Sequence, residues 1–407
     1  MAADAPGPVV AIIDTGLAWG HQDLNPGDLW INPGEVPDNG ADDDGNGYVD
    51  DVLGWNFVDA NNLPWDSDGH GTMVAGIVAA TPGNGYGIDG LAGGARIMPL
   101  RVLDHLGKGA AFDASEAIVY AARNGADVIN LSLGGGNPTR AETLAVEFAD
   151  AMGVVVVAAA GNEGVDYWTI GRAIAPFVLS VGALGRDGER LASSNWGVRL
   201  DLMAPGEDVI SLRSPATDLM VKFDPDAADD HVAGADRAYY RATGTSFAAP
   251  MVAGAAALVV ARHPELAPHQ VRRVLLASAR DLGTPGRDAR TGEGMLDVTA
   301  ALIQEPDVWA EAEIDRVAVV STTEGPGLRV YGSARAGTLV AAELLLGRGE
   351  APERWTRVAR LDSEVLSGEL AVVPAAAFSG AVRWTLRLVV SGAGGGRREA
   401  RYLVNLE

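Results

Sequence analysis

The chain has 407 residues, 47% hydrophobic and 21% charged, a composition that excludes disorder and suffices for two domains or one large domain with an appendage. A formal net charge of −23 argues against nucleic acid or an anionic membrane as partner, because phosphate binding needs clustered Lys and Arg. With no cysteine, disulfides, thiolate zinc sites and a cysteine nucleophile are excluded.

The opening MAADAPGPVV lacks the basic and apolar regions of a signal peptide, and no run of about 18 apolar residues predicts a membrane span. PVVAIID then reads as a buried strand that ends in Asp14, followed by Thr15 and Gly16. Next comes ADDDGNGYVDD, where Asp42, Asp44, Asn46 and the Tyr48 carbonyl alternate as in the first half of a calcium loop. Leu53 stands where the bidentate Glu would be, so Asp50 or Asp51 must substitute. Uncompensated carboxylates at this density favour a cation over a solvated loop. Asp59 and Asp66 make a further, weaker cation pair.

DSDGHGTMVAG places His70 between two glycines at the mouth of an apolar helix. Strand and helix then alternate. ARIMPLRVL, DVINLSL, GVVVVAAAG and FVLSVGAL are strand-length apolar runs, and ASEAIVYAARNG and TRAETLAVEFADAMG carry helical spacing with a terminal Gly. The alternation predicts a doubly wound, mostly parallel α/β sheet with helices on both faces. Ligands of such sheets bind beyond the carboxyl ends of the strands, where Asp14, Ser132 and Asn162 fall. Ser246, in TGTSFAAPMVAGAAALVV, opens a long apolar helix. From about residue 306 the text becomes seven strand-like runs without a clear helix, which predicts an antiparallel β-sandwich after a linker around Gln304–Pro306.

Taken singly, Asp14 is a strand-end turn residue, His70 a structural histidine, Ser246 a helix cap and Asn162 a turn residue. Together they are the parts of acyl transfer. A serine hydroxyl needs an imidazole to take its proton, and the imidazole needs a carboxylate to hold its tautomer. An amide donor then meets the oxyanion.

The text AIIDTG, DGHGTMVAGIVAA, DVINLSLGG, AAAGNEG, SNWGVRLDLMAPG, GTSFAAPMVAGAAAL and GEGMLDVTAAL, in that order over residues 9–303, resembles the subtilisin-like serine proteases, the subtilase family, in its thermitase-type branch. The resemblance implies Asp14, His70 and Ser246 as triad, and Asn162 with the Ser246 backbone N–H as oxyanion hole. It implies a cleft lined by Ser132, Leu133, Gly134 and Gly161, with protein or peptide substrates bound extended. It also implies structural Ca2+ at the Asp42–Asp51 loop and a second site from Asp23 and Asn84. A peptidase domain over 1–305 and a fibronectin-III-like accessory domain over 306–407 are expected, in a secreted monomer whose targeting and pro-segments lie outside this chain. Two residues depart from the family pattern: Met73 stands where a second histidine is usual, and Phe247 follows the serine in place of methionine. Both are expected to change packing and leave the chemistry intact. The rival reading is a catalytically silent binding protein on the same fold, which would ignore a serine-directed reagent.

Overall fold

A computed structural model describes residues 6–134, 138–166, 177–215, 217, 219, 231–234, 236–323 and 325–406. The chain forms two compact units, 1–275 and 276–407.

In the first unit, β1 (Val9–Asp14), β2 (Trp55–Asn56), β3 (Arg96–Arg101), β4 (Val128–Leu131), β5 (Val155–Ala159), β6 (Val178–Leu184) and β7 (Leu202–Pro205) form one sheet in the order β2-β3-β1-β4-β5-β6-β7. Every neighbouring pair is parallel. All residues of β1, β4 and β6 are buried, and a strand covered on both faces has no polar side, hence the continuous apolar runs. Helices α1 (His70–Ala79), α2 (Ala111–Arg123) and α3 (Arg140–Ala151) connect successive strands. Strand β3 lies on one side of β1 and β4 on the other, so right-handed crossovers put α1 on one face and α2 and α3 on the opposite one. Between β1 and β4 the winding reverses, and the crevice at their carboxyl ends is the switch point where such sheets bind ligands.

A small antiparallel sheet, β8 (Val209–Leu212), β9 (Val232–Ala233) and β10 (Tyr239–Ala242), leads into α4 (Thr245–Arg262), which packs against α1. By length and composition α4 could cross a membrane, but 67% of it is buried in the protein, as befits a core helix. Helices α5 (Pro268–Ser278) and α6 (Val298–Ile303) follow.

The second unit contains β11 (Ala310–Thr322), β12 (Gly325–Ala336), β13 (Leu339–Arg348), β14 (Thr356–Leu361), β15 (Val365–Pro374), β16 (Arg383–Gly392) and β17 (Arg397–Asn405). They make two antiparallel sheets, β11-β12-β15 and β14-β13-β16-β17. Val330 and Ala334 of the first sheet and Leu344, Leu386 and Leu388 of the second share one core, so the two faces pack as the expected sandwich. Residues 276–305 group with these sheets: the Arg287 N–H donates to the Glu399 carbonyl in β17, and the Arg398 guanidinium donates to the Leu276 and Ala277 carbonyls.

Candidate active site

Asp14 ends β1 at the switch point and is fully buried. Its Oδ1 accepts from the Thr15 N–H at 2.7 Å and from His70 Nδ1 at 2.8 Å, while Oδ2 is buried with no hydrogen-bond partner among the described residues. His70 opens α1 after Gly69, whose φ of 110° lies in the left-handed region that favours glycine. Gly71 lets this turn come close: a Cβ there would sit 2.3 Å from the Gly16 carbonyl oxygen and 3.2 Å from the Asp14 Cβ. Burial pulls the His70 imidazole toward its neutral form, but the charge and hydrogen bond of Asp14, aided by the charge of Asp66, outweigh it and raise its proton affinity above the ordinary 6.5.

Ser246 lies in the first turn of α4, at the positive end of that helix. Its Oγ donates to the Ser132 carbonyl at 3.3 Å, and Ser132 Oγ donates to the Ser246 carbonyl at 2.7 Å. The hydroxyl is thus turned to the end of β4 rather than to His70. Its neighbour Phe247 brings α4 onto the imidazole, with ring centroids 5.5 Å apart. Asn162 Oδ1 accepts from the Thr245 N–H at 2.9 Å and from Thr245 Oγ1 at 3.1 Å. A backbone N–H can only donate, so the oxygen is held there and the Asn162 NH2 is left to donate elsewhere. Gly161 N–H donates to the same Thr245 hydroxyl at 3.1 Å. Ser132 and Leu133 are buried just past β4, whereas Gly134 is exposed with open space beside it. Met73 is buried with Phe247, Ile77 and Tyr240 in one cluster, so the two departures from the family pattern pack together.

Among the described residues one group of carboxylates is spaced for a cation, Glu35, Asp42 and Asp44, whose ligand oxygens lie within 4.8 Å of one another. Glu35 was not legible as a candidate, because it lies outside the ADDDGNGYVDD text in a turn-rich stretch without pattern. The Gly47 N–H holds the Asp42 carboxyl below the usual carboxylate range, keeping it charged. Asn46 Oδ1 accepts from the Tyr48 N–H, and Asp50 from the Asn39 and Gly40 N–H groups. Asp51 is buried and accepts from Asn32, Asn46 and the Tyr120 hydroxyl, pinning the loop to α2. Asp23 and Asn84 do meet, but as a direct hydrogen bond at 2.7 Å from the Asn84 amide, with the Ile88 N–H and the Tyr239 hydroxyl also on Asp23. The weaker Asp59–Asp66 cation pair is corrected: Asp66 is fully buried and both its oxygens are taken by protein donors, whereas Asp59 is half exposed beside Arg101.

The sequence model of the Subtilase family matches residues 5–294. Subtilisin DY of Bacillus licheniformis is 36% identical over 295 residues, covering 72% of this chain and 89% of that protein. The thermophilic serine proteinase of Bacillus sp. (strain AK1) is 39% identical over 257 residues, 63% of this chain and 53% of that protein. A cell wall-associated protease of Bacillus subtilis (strain 168) is 35% identical over 311 residues, 71% of this chain, but the match spans only 31% of its length. Among solved structures, a lanthipeptide protease superposes with a TM-score of 0.56 at 28% identity, covering 72% of this chain and 86% of that one. A cold-adapted subtilisin-like serine proteinase gives 0.53 at 27%, covering 72% and 89%.

Proposed function

The chain belongs to the subtilase family, and from that premise we propose that it is a serine endopeptidase that cuts proteins through an acyl-enzyme on Ser246. The hydrogen bond between Asp14 and His70, on a buried carboxylate at the switch point, is the observation that carries this reading. Ser246 Oγ turns from the Ser132 carbonyl to His70 and attacks the scissile carbonyl, its proton passing to the imidazole. Asp14 stabilises the imidazolium, which next gives the proton to the leaving amine. Water then cleaves the ester by the same proton route. Asn162, its oxygen held by Thr245, offers its NH2 to the oxyanion together with the Ser246 backbone N–H. Asn162→Ala is expected to lower kcat by about 10²–10³-fold, the cost of such a donor in subtilisin, with KM little changed. A steady-state comparison of the two proteins checks it; a change confined to KM speaks against the oxyanion role.

Extended substrates pair with the backbone of Ser132, Leu133 and Gly134 and pass Gly161, a mode that gives affinity with little demand on sequence. The peptidase domain is read as 1–305 and the sandwich, 306–407, as a fibronectin-III-like accessory module. We place the protein outside the cell as a monomer.

Glu35, Asp42 and Asp44 suit calcium, a hard cation that takes carboxylate oxygens, and they would hold it against the loop that Asp51 ties to α2. When bound, the ion stabilises the folded form by mass action. Removing it with a chelator is expected to lower Tm by about 5–10 °C from a hundredfold excess over Kd. Asp44→Asn should start lower and respond less; equal responses would move the ion elsewhere.

The test of the activity is cleavage of a denatured protein with calcium present, before and after treatment with a sulfonyl fluoride. Cleavage, its loss on treatment and one adduct on the peptide carrying Ser246 are expected. A folded protein that neither cleaves nor reacts overturns the reading.

A further inference from the structure

Asp66 lies four residues before His70 and is fully buried. Burial raises the proton affinity of this carboxyl above the ordinary carboxylate range and disfavours its ionised form unless donors surround it. Five do. Its Oδ1 accepts from Thr15 Oγ1 at 2.9 Å, the Asp68 N–H at 2.9 Å and the Gly69 N–H at 2.8 Å. Its Oδ2 accepts from the Thr72 N–H at 2.8 Å and Thr72 Oγ1 at 2.7 Å. Two of these donors also reach onward. Thr15 Oγ1 accepts from the Gly71 N–H at 2.8 Å, and Thr72 Oγ1 from the Ala18 N–H at 2.9 Å. Behind the carboxylate, the Asp66 carbonyl takes the Ser214 hydroxyl at 2.8 Å.

We propose that Asp66 is the positioning residue of this site, a buried carboxylate that ties the Asp14 turn to the turn carrying His70 and sets the orientation of the imidazole. The inference rests on the reading of His70 as general base. Its partners bracket the histidine on both sides, at 68, 69 and 72, and reach the residue after Asp14. The pairing is legible only in three dimensions, since the text between Asp14 and Asp66 runs through the whole acidic loop.

Its charge acts on His70 as well. Among the described residues, the other charged groups on that side are Asp14, at the end of β1, and Asp68, which accepts the His70 N–H at 3.3 Å. Helix α4 presents the uncharged Ser246 and Phe247, β8 presents Ser211 and Leu212, and Arg101 at the end of β3 is engaged by Asp59 and the Leu103 carbonyl. Asp66 thus adds to Asp14 in favouring the imidazolium.

Asp66→Asn keeps the shape but turns one acceptor into a donor, so that it faces two or three N–H and O–H groups. The expected result is kcat lower by about 10–10²-fold with KM within about twofold, the size a displaced catalytic group produces. The acid limb of kcat/KM should also move to lower pH. Thr15→Val cuts the one side-chain link to the Asp14 turn and leaves the charge, so kcat should fall while the limb stays. A folded Asp66→Asn with unchanged kcat and unchanged limb overturns the proposal, whatever its Tm. If that variant fails to fold, a Thr15→Val kcat within twofold of the parent overturns it instead. Ser246→Ala, run alongside, separates the two failures: parent hydrolysis that survives it defeats the base reading, not the Asp66 inference alone.

Discussion

Ser246→Ala is expected to reduce hydrolysis of a denatured protein by about 10⁶-fold, the size of the same loss in subtilisin. The variant removes only the atom that forms the acyl bond. Among the described residues the hydroxyl makes one hydrogen bond, to the Ser132 carbonyl at 3.3 Å, so its deletion leaves the reciprocal bond from Ser132 Oγ intact. Folding should therefore be unaffected, and the variant should still bind an extended peptide. Residual cleavage of about 10³–10⁴-fold over water would remain from the oxyanion donors and substrate binding. Parallel assays with matched Tm decide it. Activity within tenfold of the parent would require a nucleophile other than Ser246.

Asp14→Asn should lower kcat by about 10⁴-fold, because an amide at that position can present its NH2 to Nδ1 and stabilise the wrong tautomer. The pH profile distinguishes this from a general loss of structure. In the parent, burial lowers the proton affinity of His70, and Asp14 more than offsets it, so the imidazole holds its proton above the ordinary 6.5. A base must be neutral to act, so the parent loses kcat/KM as pH falls through that raised value. Without the Asp14 charge, burial dominates and the limb moves to lower pH. Variant activity, though small, should persist further into acid as a fraction of its maximum. An unchanged limb would mean that Asp14 does not govern the imidazole.

Much of the sheet was legible because burial on both faces writes a distinctive text. β1, β3, β4, β5 and β6 each fall within an apolar run, and the seven strands of the sandwich coincide with the seven runs after residue 306. The misses are elements with little pattern to show. β2 has two residues, β7 has four with Pro205 at its end, and β8, β9 and β10 are short strands of a small separate sheet. Of the site, Asp14 and His70 come together in the expected contact. Ser246 points to Ser132, a rotamer that no spacing encodes. Glu35 and the hub role of Asp66 escaped because each depends on partners brought in from distant turns.

The position of β1 bears on how this protein reaches its native state. Its two neighbours are both made later: Val10 pairs with Ile97 on one side and Val128 on the other. During synthesis β1 therefore has no partner until β3 ends at residue 101 and keeps its other edge open until β4 ends at residue 131, and the Ser246 helix follows only after more than a hundred further residues. Non-local parallel pairing of this sort makes a high barrier, because loop-closure entropy is lost before contacts reward it. Unfolding meets a different barrier: β1 is paired to β3 and to β4, so releasing it breaks hydrogen bonds on both edges before the freed chain gains entropy. Resistance to degradation would then be a matter of rate more than of equilibrium, a useful property in a molecule proposed to cut loosened chains.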